Sequence, residues 1–304
     1  MISIILPTYN RSAIINRTID CVLNQSYTNF ELIIINDCSS DDTEKVIKSY
    51  DDKRIKYVNN SNNIGCANSR YLGYQHSKGD VLVFIDDDDT WRQDKLLKQV
   101  RLIENYDMVL SDYSISINGM LEQKNMRPFG EYFKQEILKR PGPFFQSIMI
   151  KKNIVDKINN PFDQKSVPSE DWNFFIELSK LELKIAYLNE SLFTWNLNYD
   201  NQSLNLKNEA NALSYIVEKH FDYLMSNSSK KNISNHYRRI ARIYEKMFSK
   251  NFDSKDIDEY YLKAFKIYPW SFKNILYRFF VLVGYKKSRH LINLLRKLRG
   301  VQNV

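Results

Sequence analysis

The chain has 304 residues, of which 43% are hydrophobic and 26% are charged, so it can bury a substantial core and is neither disordered nor fibrous. Its net charge of +8 is unevenly distributed: residues 207–304 carry 20 basic and 8 acidic side chains, whereas residues 1–206 carry 24 and 28. The three widely spaced cysteines, Cys21, Cys38 and Cys66, indicate neither a disulfide framework nor a cysteine zinc site, and they favour a reducing compartment.

The first 110 residues alternate short apolar runs with amphipathic stretches, which predicts βαβ units around a mainly parallel sheet. The expected strands are residues 2–6, 30–35, 55–58, 81–85 and 108–110. The expected helices lie near residues 12–24, 41–50, 66–76 and 91–104. Because ligands bind at the carboxyl ends of parallel strands, we expect a site in the loops after Leu6, Ile35, Val58 and Ile85.

Residues 111–206 have a mixed pattern, with an expected turn at Asn118-Gly119, a strand at 147–150 and a helix at 170–181. Helical periodicity dominates from Lys207 onward. The helices expected there are residues 207–226, 232–249, 254–267, 271–283 and 287–298. The change of charge and of period predicts two domains, 1–206 and 207–304.

Four consecutive carboxylates, Asp86 to Asp89, follow the fourth expected strand. Carboxylates repel one another, so a cation or a set of donors is expected to neutralise them. Asp86 and Asp88 are the natural metal pair, and ligands that are all oxygen favour Mg²⁺ or Mn²⁺ over zinc. The alternative is that Asp89 or Thr90 caps the next helix and the remainder is a solvated turn.

The other strand-end loops carry groups that suit a nucleotide. Residues 7–11 offer an aromatic face with polar edges, and Asp37 could accept a hydrogen bond from a nucleoside or be an ordinary turn residue. Asn63 precedes a helix with Arg70 in its first turns, where the amide end already favours phosphate. Their expected convergence on one edge of the sheet predicts a nucleotide site.

A further acidic pair, Glu170 and Asp171, begins the helix expected at 170–181. Ser169 could cap this helix, and the two acids could simply complement its dipole. The functional alternative makes one of them a general base whose pKa is raised by the hydrophobic neighbour Trp172.

Five segments in this order resemble glycosyltransferase family 2. They are Ile5-Leu-Pro-Thr-Tyr-Asn-Arg11, Ile35-Asn-Asp-Cys-Ser-Ser-Asp41, Asn63-Ile-Gly-Cys-Ala-Asn-Ser-Arg70, Phe84-Ile-Asp-Asp-Asp-Asp89 and Ser169-Glu-Asp-Trp172. The resemblance covers about residues 1–205. It implies a Rossmann-like α/β domain of the GT-A fold that binds a nucleotide-sugar, here followed by a basic α-helical C-terminal region.

The resemblance also implies roles for individual residues. Asp171 would be the catalytic base with Glu170 beside it, and Asp88 with Asp86 would hold Mn²⁺ or Mg²⁺. The nucleotide-sugar would be bound by residues that include Asp37 as a reader of the uracil edge: Pro7, Thr8, Tyr9, Asp37, Asn63, Arg70, Asp86 and Asp87. Many members carry an Arg and a His after the base helix, where this chain has Thr194 and Asn196.

The expected activity is inverting transfer of a hexosyl or N-acetylhexosaminyl group, from a UDP-sugar to a glycan or lipid-linked acceptor in surface polysaccharide biosynthesis. One alternative is a haloacid-dehalogenase-like phosphohydrolase, because residues 83–90 fit its hhhDxDx[TV] pattern with Asp86 as the nucleophile. That alternative leaves the other strand-end loops and the pair Glu170 and Asp171 unexplained.

The basic C-terminal region has no acidic residue after Glu259. It could dock on an anionic membrane with Trp270 and Tyr277 near the headgroups, pack against the protein or form a homo-oligomer, or act as a binding module for nucleic acid, which is the least favoured. The start of the chain lacks the basic region of a signal peptide, and the apolar run at 279–283 is far shorter than the ~20 residues that span a bilayer. We therefore expect a cytoplasmic protein that is peripheral at the inner face of the membrane.

Overall fold

The computed structural model describes residues 1–117, 119–197, 205–248 and 255–283. Within these residues the chain divides into two compact units. The first comprises residues 1–137 and 141–197, and the second comprises residues 138–140, 205–248 and 255–283.

The first unit is built on a mixed sheet of nine strands among the described residues. The strands are β1 (Ile2–Thr8), β2 (Phe30–Asn36), β3 (Ile55–Asn59), β4 (Val81–Phe84), β5 (Thr90–Trp91), β6 (Met108–Ile117), β7 (Met120–Lys124), β8 (Ile148–Lys151) and β9 (Ile185–Asn196). Their order is β3-β2-β1-β4-β8-β6-β9-β5, and β7 pairs with β6.

The helices of the first unit cover this sheet. They are α1 (Ile15–Leu23), α2 (Thr43–Lys48), α3 (Cys66–His76), α4 (Lys95–Ile103), α5 (Arg127–Glu131), α6 (Phe133–Lys139), α7 (Lys152–Val155) and α8 (Glu170–Leu178). Short 3₁₀ turns lie at Phe145–Ser147 and Gln164–Ser166.

The central strands β1, β2 and β4 are mostly apolar and almost entirely buried, as is usual for strands of a parallel sheet. Strand β1 pairs in parallel with β2 and β4, so the carboxyl ends of all three strands lie at one edge of the sheet. Strand β8 then runs antiparallel to β4, which brings the residues before Ile148 to the same edge. This edge is where the sequence places the nucleotide-binding loops.

The second unit is helical. Its helices are α9 (Leu206–Lys219), α10 (Phe221–Asn227), α11 (Lys230–Phe248), α12 (Lys255–Ile267) and α13 (Phe272–Val283). Buried tyrosines pack between them, and the rings of Tyr261 and Tyr277 stack with centroids 4.0 Å apart. The buried amide of Asn274 donates to the hydroxyl of Ser234 over 2.8 Å and so links α13 to α11.

The structure confirms the predicted fold class: a mainly parallel α/β sheet followed by helices. The first four strands fall within three residues of their predicted bounds. Three strand features were not predicted: the short strand β5, where a helix was expected from residue 91, the extension of β6 into a hairpin with β7, and the long strand β9. One predicted helix, 207–226, is interrupted at His220, and another, 287–298, lies outside the described residues.

The prediction that Tyr277 lies near membrane headgroups is wrong, because Tyr277 is buried against Tyr261. Trp270, its expected companion, is 86% exposed. Among the described residues, no helix combines the length and the apolar character needed to cross a membrane.

Candidate active site

The loops that follow β1, β2 and β4 meet at one edge of the sheet. The backbone N–H of Asp37 donates to the carbonyl of Thr8 over 2.8 Å, and that of Tyr9 donates to the Asp87 carboxylate over 3.3 Å. Pro7 and Thr8 are buried in the last residues of β1, whereas the Tyr9 ring is partly exposed. Three separate segments of sequence therefore form one continuous surface.

The four consecutive carboxylates of the acidic loop, Asp86 to Asp89, have different environments. Asp89 is buried and accepts from the backbone N–H of Asn196 over 2.7 Å and from the Gln146 amide. Asp87 accepts from Arg11 Nε over 3.2 Å. The Asp86 side chain is 44% exposed, whereas that of Asp87 is 14% exposed. The contacts of Asp87 and Asp89 thus fix the loop, while Asp86 and Asp88 are half-buried.

Electrostatic repulsion within the acidic loop is strong. Burial, followed by the charges of Asp86 and Asp87, raises the pKa of Asp88 to about 7. The pKa of Asp89 is also raised well above its ordinary value, first by burial and then by Asp88. A divalent cation at Asp86 and Asp88 would relieve this repulsion.

A buried arginine links the acidic loop to α8. Arg70 on α3 is only 3% exposed, and its Nη2 donates to Asp86 over 3.0 Å while its Nη1 donates to Glu170 over 3.2 Å. The guanidinium also lies over the Phe145 ring, 4.5 Å from its centroid. A planar group with a fixed fork of donors suits this double role, which a lysine could not fill.

Asp171 lies beside Glu170 in the first turn of α8 and accepts from the backbone N–H of Phe145 over 3.3 Å. Burial raises the pKa of Asp171 well above its usual range, and the charge of Glu170 raises it further. Trp172, which the sequence expected to help raise this pKa, is buried, and its Nε1 donates to the carbonyl of Ile137 over 2.9 Å. A raised pKa makes Asp171 a better proton acceptor than an ordinary carboxylate, as a general base requires.

Asp37 is buried and holds the loop that precedes α3. Its Oδ1 accepts from the Asn60 amide over 2.8 Å and from the N–H of Ile64 over 2.9 Å, and its Oδ2 accepts from the N–H of Gly65 over 2.8 Å. Gly65 has φ +88°, a conformation that favours glycine. Asn63 is exposed on this loop. A uracil contact by Asp37 stays a prediction.

Residues 3–158 match the sequence profile described as "Glycosyl transferase family 2". The chain belongs to this family. It is 29% identical over 182 residues to the Escherichia coli "UDP-Glc:alpha-D-GlcNAc-diphosphoundecaprenol beta-1,3-glucosyltransferase WfgD", covering 59% of this chain and 70% of that one. It is also 29% identical over 208 residues to the Erwinia amylovora "Amylovoran biosynthesis glycosyltransferase AmsB", covering 64% and 69%.

Solved structures with the same fold include Staphylococcus aureus TarS 1-349 in complex with UDP-GlcNAc, at a TM-score of 0.67 and 15% identity, covering 88% of this chain and 81% of that one. The Pyrobaculum calidifontis mannosyltransferase PcManGT, solved with GDP-Man and Mn²⁺, has a TM-score of 0.58 at 13% identity and covers 99% and 83%. The first unit of this family 2 glycosyltransferase therefore has the GT-A fold.

Sequence reasoning missed several residues of the glycosyltransferase site. Gln146 donates to Asp86 over 3.1 Å and to Asp89, and Asn196 Nδ2 donates to the carbonyl of Asp88 over 3.0 Å. Gln164 Oε1 accepts from the N–H of Ala67 over 3.2 Å at the start of α3. Among these residues, only Asn196 could have been found from the sequence, because it stands at a position where the chain departs from the family pattern.

The described residues contain no cluster of three or more His, Cys, Asp or Glu side chains that could hold a metal. Asp86 and Asp88 supply two carboxylates instead. Mg²⁺ and similar hard cations are commonly held by one or two carboxylates together with substrate phosphates and water, so this donor set fits such an ion.

Proposed function

We propose that this glycosyltransferase moves a sugar from a UDP-sugar to a hydroxyl of a glycan or lipid-linked acceptor in surface polysaccharide biosynthesis, with inversion. The observation that carries this proposal is the position of Arg70, which contacts both Asp86 of the acidic loop and Glu170 beside Asp171. Arg70 thus joins the acidic loop, which would hold the diphosphate-linked sugar, to the residue next to the proposed base.

In this mechanism Asp171 takes the proton of the acceptor hydroxyl. The oxygen then attacks the anomeric carbon while the bond from that carbon to the diphosphate breaks on the opposite side, which inverts the configuration. Mn²⁺ or Mg²⁺ held by Asp88 and Asp86 would neutralise the charge that develops on the leaving diphosphate. Arg70 donates to Glu170 and so holds it in place beside Asp171.

Several observations support a UDP-sugar donor and a divalent cation. WfgD is named for UDP-Glc and a diphosphoundecaprenol acceptor, and TarS was solved with UDP-GlcNAc. PcManGT was solved with Mn²⁺. In this chain Pro7, Thr8, Tyr9 and Asp37 lie at the edge where the nucleoside would bind, and Asn63, Arg70 and Asp87 lie around it.

A calorimetric panel of UDP-, GDP- and dTDP-sugars, with and without Mn²⁺, tests this function. We expect UDP-sugars to bind most tightly and Mn²⁺ to strengthen their binding. The variant Asp88→Asn should keep the fold and lose the contribution of Mn²⁺. Failure of the wild-type protein to bind any of the nucleotide-sugars would overturn the proposal.

The basic helical unit is proposed to contact an anionic membrane, which would make this enzyme peripheral at the cytoplasmic face. Trp270, Ile275 and Leu282 are 86%, 50% and 74% exposed, and no acidic residue follows Glu259 in the sequence. Apolar and basic side chains together are the composition that binds anionic lipid surfaces.

Sedimentation with vesicles tests this contact. We expect binding to vesicles containing phosphatidylglycerol and little binding to pure phosphatidylcholine. Replacing Trp270 and Leu282 with Ser should weaken the binding, whereas Tyr132→Ser, a control at an exposed aromatic side chain of the first unit, should not. Equal binding by the Trp270 and Leu282 variant would contradict the contact.

A further inference from the structure

A cavity lies in the first unit, on the part of the sheet formed by β7, β6 and β9. Its volume is about 720 Å³, within the range of roughly 300–1,000 Å³ that is usual for ligand pockets. Most of its lining is made of hydroxyl, amide and carboxylate side chains, including Asp112, Ser114, Gln123, Asn125, Asn189 and Thr194.

The floor of this cavity is shaped by an irregular pairing of β6 with β9. Ser111 pairs with Leu188, but the next residue, Asp112, pairs with Ser191, so β9 has two extra residues at this point. Such bulges bend a strand and redirect side chains, and they are frequent beside functional sites. The extra residues, Asn189 and Glu190, both line the cavity.

Hydrogen bonds fix the side chains that form the wall of the cavity. Asp112 is buried, and its carboxylate accepts from the N–H of Met126 over 2.6 Å and from the Tyr187 hydroxyl over 2.8 Å. The Tyr187 hydroxyl is also 3.1 Å from Asn189 Oδ1. The wall is thus held in one arrangement before any ligand binds, which lowers the cost of binding.

The basic side chains around the cavity are already paired with carboxylates. Arg92 forms ion pairs with Asp94 at 2.6 Å and Glu190 at 3.3 Å, and Lys124 pairs with Glu122. Since these cations are compensated within the protein, the lining offers little to an anion such as a phosphate. It offers many donors and acceptors to a neutral ligand rich in hydroxyl groups.

The cavity lies on the opposite face of the sheet from the catalytic base. Thr194 lines the cavity, so its neighbours Phe193 and Trp195 point to the other face. There the Trp195 ring lies 5.1 Å from that of Phe144, next to the residue that donates to Asp171. Two residues beyond Thr194, Asn196 holds the acidic loop. The cavity is therefore separate from the base but shares a strand with the catalytic edge.

We propose that this cavity is a second saccharide-binding site, which holds neutral sugar units of the glycan away from the reacting end. The proposal rests on the proposed function only in naming the glycan as its ligand. Holding the chain at a second point raises the effective concentration of its reacting end at the catalytic edge.

Native affinity electrophoresis tests the cavity directly, in gels that contain surface polysaccharide purified from the organism that produces the protein. We expect the full-length wild-type protein to be retarded. Gln123→Trp places a large ring in the mouth of the cavity, and it should weaken binding at least about tenfold, equivalent to about 1.4 kcal/mol. Met120→Trp is the matched control on the same strand but on its other face, and it should be retarded like the wild type.

Two results would overturn the proposal: wild-type migration unaffected by polysaccharide, or equal retardation of Gln123→Trp and the wild type. Calorimetry of the same variants with UDP-sugars shows that the donor site, and with it the fold, is intact. The same calorimetry also separates the second-site proposal from the proposed function. Normal UDP-sugar binding without retardation contradicts only the second site, whereas failure of every nucleotide-sugar to bind contradicts the proposed function.

Discussion

The buried Arg70 and the half-buried Glu170 form an ion pair of 3.2 Å that joins α3 to α8 across 100 residues of sequence. The same guanidinium binds Asp86, so a single side chain sets the spacing between the acidic loop and the base helix. Removing one partner of a buried charge pair leaves the other charges uncompensated, which is costly. We therefore expect Arg70 to position both the acidic loop and α8.

The variant Arg70→Lys tests this positioning role. A lysine keeps the charge but cannot donate to both carboxylates with fixed geometry. We expect kcat/KM to fall by about 100-fold, the effect of misplacing reacting groups by about 1 Å. Arg70→Met should in addition destabilise the protein by about 3–5 kcal/mol in chemical denaturation. Activity of Arg70→Lys within twofold of the wild type would show that the double contact is unimportant.

Gln146 provides a second test, because it donates to Asp86 and Asp89. Gln146→Glu replaces a donor with another carboxylate at nearly constant volume and should cost about 2–4 kcal/mol of stability together with most of the activity. Gln164→Glu is the matched control. Gln164 uses its oxygen as an acceptor from Ala67 and Asn68, which a glutamate preserves. Equal effects of the two substitutions in thermal and chemical denaturation would contradict the assigned donor role.

The raised pKa of Asp171 predicts an effect on stability as well as on activity. The folded protein binds the Asp171 proton more tightly than the unfolded chain does, so this group makes the wild type less stable as the pH rises above the unfolded pKa near 3.8. Asp171→Asn removes that contribution and should be more stable than the wild type at pH 8 in chemical denaturation. The difference should shrink at pH 5. A variant less stable at pH 8 would contradict the prediction.

The acidic loop predicts a pH-dependent affinity for metal. Because burial and neighbouring charges raise the pKa of Asp88 to about 7, a cation must displace a proton below that pH. We expect the affinity for Mn²⁺ to rise by about tenfold per pH unit below pH 7 and to level off above it, as measured by calorimetry in the presence of UDP. Affinity that does not change between pH 5.5 and pH 8 would exclude such proton displacement.

The sequence predicted the parts of the fold and site that depend on local patterns. The apolar runs of β1, β2 and β4 and the acidic segments at Asp86–Asp89 and Glu170–Asp171 are contiguous, so short windows of sequence contain them. Strand β9 could not be recognised in the same way. Its extra residues opposite Asp112 interrupt the alternation of polar and apolar side chains on which strand prediction relies.

The missed site residues share a different cause. Gln146 lies 57 residues from Asp89, and Asn196 lies 107 residues from it, so their contacts depend on strand pairing across the sheet. A buried glutamine or asparagine has no local signature that separates it from a surface residue. The pKa of Asp171 shows the same limit, because the burial and the charge of Glu170 that raise it depend on the folded environment.

The central claim is that Asp171 is the base of a UDP-sugar-dependent transfer. Its most direct test is a transfer assay that compares the wild type with Asp171→Asn. The donor is the radiolabelled UDP-sugar that binds most tightly in the calorimetric panel, and the readout is the radiolabel incorporated into a bacterial membrane acceptor. The account predicts transfer by the wild type and a loss of at least about 100-fold in Asp171→Asn, with donor binding unchanged. Transfer by Asp171→Asn at a rate near that of the wild type would contradict it.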